Sequence, residues 1–144
     1  GVADADTAVV RMLAGIDADP ALRGRVAVVL TADHGGGVPR ISHVDPEAPV
    51  NFTIPFLVWL GQDGDAADLY QMNRDTRRMP GASERFAADA PPPIRNAELG
   101  NVALSVLGLP AIPGSTANAS QDLKVRAVPA AANAGVNEPH GAGR

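Results

Sequence analysis

Apolar residues recur at helical spacing over residues 3–16, where Ala5, Val9, Met12, Leu13 and Ile16 fall on one face. Asp4 and Asp6 lie near the end at which a helix dipole favours negative charge. Asp17, Asp19 and Pro20 then stop the helix. The pattern next changes to an unbroken apolar run, Val26 to Leu30, inside a strand predicted over residues 25–31 and flanked by Gly24 and Gly36. Such a run reads as a strand covered on both faces, the form that parallel strands take. Residues 53–60 read as a second strand, with Pro55 confined to its start or to an edge because it lacks an N–H. A short helix is predicted over residues 65–72.

The clearest helical period is at residues 96–107, where Leu99, Val102, Ala103, Val106 and Leu107 form a core-facing stripe. Asn96 is suited to the N-cap there, and Gly108 and Pro110 end the helix. Between the two halves, Arg77-Arg78, Pro80-Gly81 and Pro91 to Pro93 break every regular period, so residues 73–95 are expected to form a long surface excursion. Arg77 and Arg78 could meet an anionic substrate there, with solvated surface charge the preferred reading. Residues 1–125 read as one domain, and residues 126–144, without periodicity, as a disordered tail.

Composition narrows the possible functions. With 45% apolar residues a core is permitted, although Ala and Val supply much of it. Sixteen acidic against twelve basic residues give a net charge of −4 without a long run of either sign, which argues against nucleic acid as a partner. No apolar stretch approaches the roughly 18 residues of a membrane span. The absence of cysteine excludes disulfides, thiolate metal ligands and a thiol nucleophile. The sequons at Asn51 and Asn118 are short enough to arise by chance and carry no weight.

The candidate chemistry lies at the carboxyl end of the first predicted strand. Asp33 and His34 offer a hard oxygen and an imidazole nitrogen to one small volume, a pairing suited to a divalent metal such as zinc. Gly35, Gly36 and Gly37 allow a sharp turn, and a loop of this length can return His43, nine positions on, to the strand end. The alternative is a plain loop start, with Asp33 accepting from nearby backbone N–H groups and His34 partly exposed. His140 lies in the predicted tail and is not a candidate ligand.

Residues 28–35, 54–59, 94–96 with 101–104, and 107–115 occur in an order that resembles the C-terminal part of alkaline phosphatase superfamily hydrolases, the group of sulfatases and type I phosphodiesterases/nucleotide pyrophosphatases. The resemblance covers roughly residues 1–125, and its specific part is the Asp-His-Gly motif with the strand before it. It implies an α/β fold: the C-terminal part of an alkaline-phosphatase-like sandwich with a mostly parallel central sheet flanked by helices. It also implies that Asp33 and His34 ligate one of two divalent ions and that His43 serves the other. Zinc is the expected metal, with manganese, magnesium or calcium as alternatives.

The activity implied is metal-dependent hydrolysis of phosphate mono- or diesters on a small phosphorylated substrate. Sulfate ester hydrolysis and a non-catalytic binding module are the alternatives. Nothing before Asp33 matches the family's nucleophile or its upstream Asp and His ligands, so no catalytic residue is assigned within this chain. The chain is expected to correspond to about the last third of such an enzyme, completed by the N-terminal part of the same domain. By itself it should bind metal weakly. Relatives with this kind of segment are often exported, which points to the periplasm, the cell surface or secretion.

Overall fold

A computed structural model describes residues 2–37, 40–61, 66–80 and 91–126. Helix α1 spans Val2–Ala18. Of its predicted stripe, Ile16 is buried, Val9 and Leu13 are half-buried, and Ala5 and Met12 are exposed, so burial gathers at its C-terminal end. The stop at Asp19 is as anticipated: its carboxylate accepts from the Ala21 N–H at 2.8 Å and its carbonyl from the Leu22 and Arg23 N–H groups. Gly24, at φ +69°, then turns the chain into the first strand.

Strand β1 (Val28–Thr31) pairs with β2 (Phe56–Trp59), Val28 opposite Trp59 and Thr31 opposite Phe56. The pairing is antiparallel, and it is the whole sheet among the described residues. The expected mostly parallel sheet flanked by helices is therefore not present, and the fold is not an alkaline-phosphatase-like sandwich. The physical reason lies in the connection. Parallel neighbours need a crossover, usually a helix. Between Thr31 and Phe56 the chain holds a glycine-rich turn and one short 3-10 helix, Pro49–Asn51, so it returns beside the strand it left. The unbroken apolar run says nothing of strand direction, and the two-faced burial expected of it is not met either, since Val28 to Thr31 are all half-buried. Pro55 sits just before β2, as its missing N–H requires, and its carbonyl accepts from Thr31 Oγ1 at 2.8 Å.

Helix α2 (Leu69–Met72) is capped by Asp68, whose carboxylate accepts from the Tyr70 and Gln71 N–H groups at 2.7 and 3.2 Å. The described part of the predicted surface excursion is largely at the surface, with Arg78 exposed as expected, but two of its side chains turn inward. Asn73 is buried and clasps a distant segment, donating to the Lys124 carbonyl at 2.8 Å and accepting from the Lys124 N–H at 2.7 Å. Arg77, 4% exposed, is neither solvated nor available to an anion. Its guanidinium lies 3.1 Å from Glu98 Oε1 and 2.9 Å from Asp122 Oδ1, and donates to Asn118 Oδ1 at 3.2 Å and to the Thr76 carbonyl at 2.9 Å. The run of like charge and the proline-rich flanks suggested solvent, whereas the carboxylates that cover Arg77 come from residues 21 and 45 positions further along the chain. Residues 62–65, 81–90 and 127–144 lie outside the described residues, and with them parts of the predicted helix and excursion and nearly all of the predicted tail.

A 3-10 turn at Asn96–Glu98 leads into α3 (Leu99–Val106). Val102 is buried, Leu99, Ala103 and Val106 are half-buried, and Leu107 at the helix end is exposed, so the predicted stripe is real but ends one residue early. Asn101, 1% exposed, donates to Ser115 Oγ and the Ala117 carbonyl and accepts from the Ile112 N–H, which folds residues 107–117 back on the helix. The sequon residues Asn51 and Asn118 are both buried. Among the described residues, no helix is long and apolar enough to cross a membrane.

Replacing Arg77 by Ala leaves Glu98, 1% exposed, without its cation. Breaking a buried pair in this way costs about 3–5 kcal/mol, which a urea unfolding curve of R77A reads as a lowered midpoint. R77K should recover only part of the loss, because an ammonium cannot reproduce the guanidinium fork. Burial also raises the pKa of Tyr70, the sole tyrosine, against the opposing effect of the Ile94 N–H that its hydroxyl accepts. The folded chain then keeps the phenolic proton to higher pH than the unfolded chain. Stability from this group is complete below the ordinary tyrosine value of about 10 and declines as pH rises past it. Tyrosinate absorbance should titrate at higher pH in the native chain than in urea, and coincident curves would contradict this.

Candidate functional site

The candidate site begins where β1 ends, at Ala32. Asp33 Oδ1 accepts from the His34 N–H at 2.9 Å, a local bond that turns the carboxylate toward the next residue. His34 Nδ1 lies 2.6 Å from the Gly35 carbonyl. A carbonyl only accepts, so Nδ1 carries the proton in this contact, and in the neutral ring the lone pair falls on Nε2. That nitrogen faces Asp33 Oδ2 at 3.4 Å. The carboxylate is 86% and the imidazole 44% exposed, so the pair stands open to solvent.

The glycine turn returns the chain as its composition suggested. The Gly35 N–H donates to the Asn51 carbonyl at 2.9 Å, Gly36 to Val50 at 3.0 Å and Gly37 to Ser42 at 2.9 Å. A Cβ at Gly35 would stand 2.0 Å from the Val50 carbonyl oxygen, so glycine is required there by close backbone approach. Asn51 holds the returning segment through its Nδ2, which donates to the Asp45 carbonyl at 2.8 Å. The result is that His43 stacks on His34, with ring centroids 3.7 Å apart and planes inclined by 21°.

All three predicted ligands are thus brought together, but they do not all aim at one point. Lone pairs of imidazole lie in the ring plane, and two nearly parallel rings direct them side by side. Among the described residues, no three His, Cys, Asp or Glu side chains are placed to hold a single metal ion. Asp33 and His34 alone converge. Two donors about 2.0–2.1 Å from a tetrahedral zinc stand about 3.3 Å apart, close to the Oδ2–Nε2 separation here, so the pair fits half of such a site. The plain loop-start reading also finds support in the Asp33 Oδ1 bond, and the two coexist, since that bond uses one carboxylate oxygen and leaves the other facing the ring.

Two residues that sequence reasoning gave other roles support the site. Asn96, suited by type to a helix N-cap, instead sends its Nδ2 to the Asp33 and Ala32 carbonyls at 2.7 and 3.3 Å. Asn51 stood out only for its sequon. Neither role leaves a signal in the sequence, because each depends on which remote carbonyl lies opposite the amide. No protein-family model, curated protein sequence or solved structure matches this chain.

The close approach at Gly35 is testable. Gly35→Ala should drive residues 48–52 away and unstack the two imidazoles, seen as loss of ring-current shifts in the histidine proton resonances. Gly36→Ala should leave those resonances in place, since the nearest atom to its Cβ, Ser42 O, is 3.9 Å away.

Proposed function

We propose that this chain contributes part of a metal centre for the hydrolysis of phosphate mono- or diesters, with Asp33 and His34 sharing one divalent ion and His43 serving a second. The observation that carries the reading is the His34 nitrogen freed by the Nδ1–Gly35 bond and turned toward Asp33 Oδ2 at 3.4 Å. His43 stacks on His34, so ions held by the two imidazoles would be neighbours. The phosphate ester class rests on the resemblance of residues 28–35 and the segments after them to alkaline phosphatase superfamily hydrolases. Bound at such a centre, a divalent ion supplies Lewis acidity toward phosphate oxygens.

The chain's own residues hold and orient. The Gly35 carbonyl fixes the His34 tautomer and makes its free nitrogen a stronger donor. Asp33 brings the negative charge that a cation requires. The Thr31 hydroxyl donates to the Pro55 carbonyl, and no nucleophilic role is assigned to it. No nucleophile and no third ligand is assigned among the described residues. An imidazole nitrogen in the donor set suits zinc better than the oxygen-dominated calcium site of sulfatases, which favours phosphate over sulfate esters. A second reading, a metal-binding module without catalysis, is favoured by the convergence of only two donors.

Zinc titration calorimetry on the chain should show weak binding that Asp33→Ala and His34→Ala each reduce at least tenfold. The zinc-loaded chain should take up orthophosphate in preference to sulfate and release it on chelation. Equal zinc uptake by the native chain and H34A would overturn the metal centre. Zinc binding without phosphate uptake would leave the module reading in place of the hydrolase.

A further inference from the structure

We infer that Asn96 is a positioning residue for the Asp33–His34 pair, holding the metal-facing geometry of a strand end from the far side of the fold; as a statement about metal affinity, this rests on the metal-centre reading above. The Asn96 amide donates both its hydrogens, one to the Asp33 carbonyl at 2.7 Å and one to the Ala32 carbonyl at 3.3 Å. Because both partners are carbonyls, the orientation of the amide is fixed, nitrogen inward.

Each carbonyl belongs to a planar peptide unit. The Ala32 carbonyl sets the plane that enters the Asp33 Cα, and the Asp33 carbonyl sets the plane that leaves it. Holding both fixes the direction in which the Asp33 side chain departs. The second plane also contains the His34 N–H, which donates to Asp33 Oδ1 at 2.9 Å. One side chain therefore orients the carboxylate twice, through the backbone and through the bond that the backbone presents to it. Without Asn96, the exposed Asp33 would keep, among the described residues, only its two contacts with the neighbouring His34, in a loop whose next anchor is the Gly35–Asn51 bond.

The anchor is itself rigidly held. Asn96 opens the turn that ends at Glu98, which is 1% exposed, lies 3.1 Å from Arg77 Nη2 and accepts from the Arg95 N–H at 3.4 Å. The two residues thus divide the work: Glu98 fixes the turn, and Asn96 transmits that position to residues 32 and 33, more than sixty positions earlier in the chain.

The experiment compares Asn96→Ala and Asn96→Asp with the native chain and with Asn101→Ala. Asn96→Asp keeps size and helix-start preference but replaces the donor with acceptors. Asn101→Ala loosens the fold at Ser115, Ala117 and Ile112 without touching the strand end. Hydrogen exchange at the His34 and Gly35 amides is the metal-independent readout. Both Asn96 variants should speed exchange there selectively, whereas N101A should not. Zinc affinity should fall about ten- to a hundredfold in N96A and stay within about twofold in N101A, the range expected when an outer support of a metal ligand is lost. Native exchange at His34 and Gly35 in both Asn96 variants would overturn the positioning role. Selective exchange in a chain that binds no zinc would keep the positioning role and refute the metal centre instead.

Discussion

The buried pair of Arg77 and Glu98 is the constraint on which the described fold depends. Taking two charges out of water costs several kcal/mol for each ion, and close approach with further hydrogen bonds is what offsets it. Here the guanidinium contacts Glu98, Asp122, Asn118 and the Thr76 carbonyl, which leaves few of its donors without a partner. Those partners lie on stretches separated by as many as 45 positions, so the arrangement exists only when the chain is folded around it. Asn73 and Asn101 work in the same manner on a smaller scale, each joining a helix to a segment that would otherwise have no reason to lie against it. The buried hydrophobic residues among those described are Ile16, Val102 and Leu123, whereas six polar or charged residues are buried. Specific polar clasps hold this structure where a larger domain would use an apolar layer.

The candidate site inherits its order from that centre. From Glu98 the restraint passes to the 96–98 turn, and from Asn96 to the carbonyls on either side of Asp33. A second restraint arrives from the opposite direction, where Gly35 packs directly on the Val50 carbonyl and its N–H bonds Asn51. The side chains of Asp33 and His34 are exposed, yet the backbone beneath them is held at both ends. A held backbone with open side chains is what a binding site needs, since exposure admits a ligand and the backbone bonds limit the entropy lost on meeting it.

Much of this was legible in the sequence where local periodicity or residue chemistry speaks. Helices α1 and α3 follow from their apolar spacing, Pro55 marks the start of β2, and the three glycines foretell the turn that returns His43 to His34. What the sequence could not express is pairing between distant residues. The Val26 to Leu30 run suggests a strand covered on both faces, yet Val28 to Thr31 are only half-buried in a two-stranded sheet, and the antiparallel return is decided by a connection with no crossover. Arg77 beside Arg78 looks like surface charge until Glu98 and Asp122 are placed against it. Asn96 carries the residue type of a cap, and only the fold shows its amide turned toward the strand end instead.

The difference in fold does not by itself remove the local chemistry. A strand-end Asp-His pair requires a strand that stops, a turn that can approach the returning chain closely, and an anchor for the peptide units on either side of the carboxylate. All of these are supplied by residues 31–53 and Asn96, and none depends on a parallel neighbour. What the described residues of this stretch do not supply is a third convergent donor. Stacking brings His43 within contact of His34 but makes the two rings nearly parallel, and parallel rings serve neighbouring points, not a common one. The same packing that orders the second imidazole therefore keeps it from completing the first site. Any tight centre built on Asp33 and His34 must draw its remaining ligands from beyond this loop.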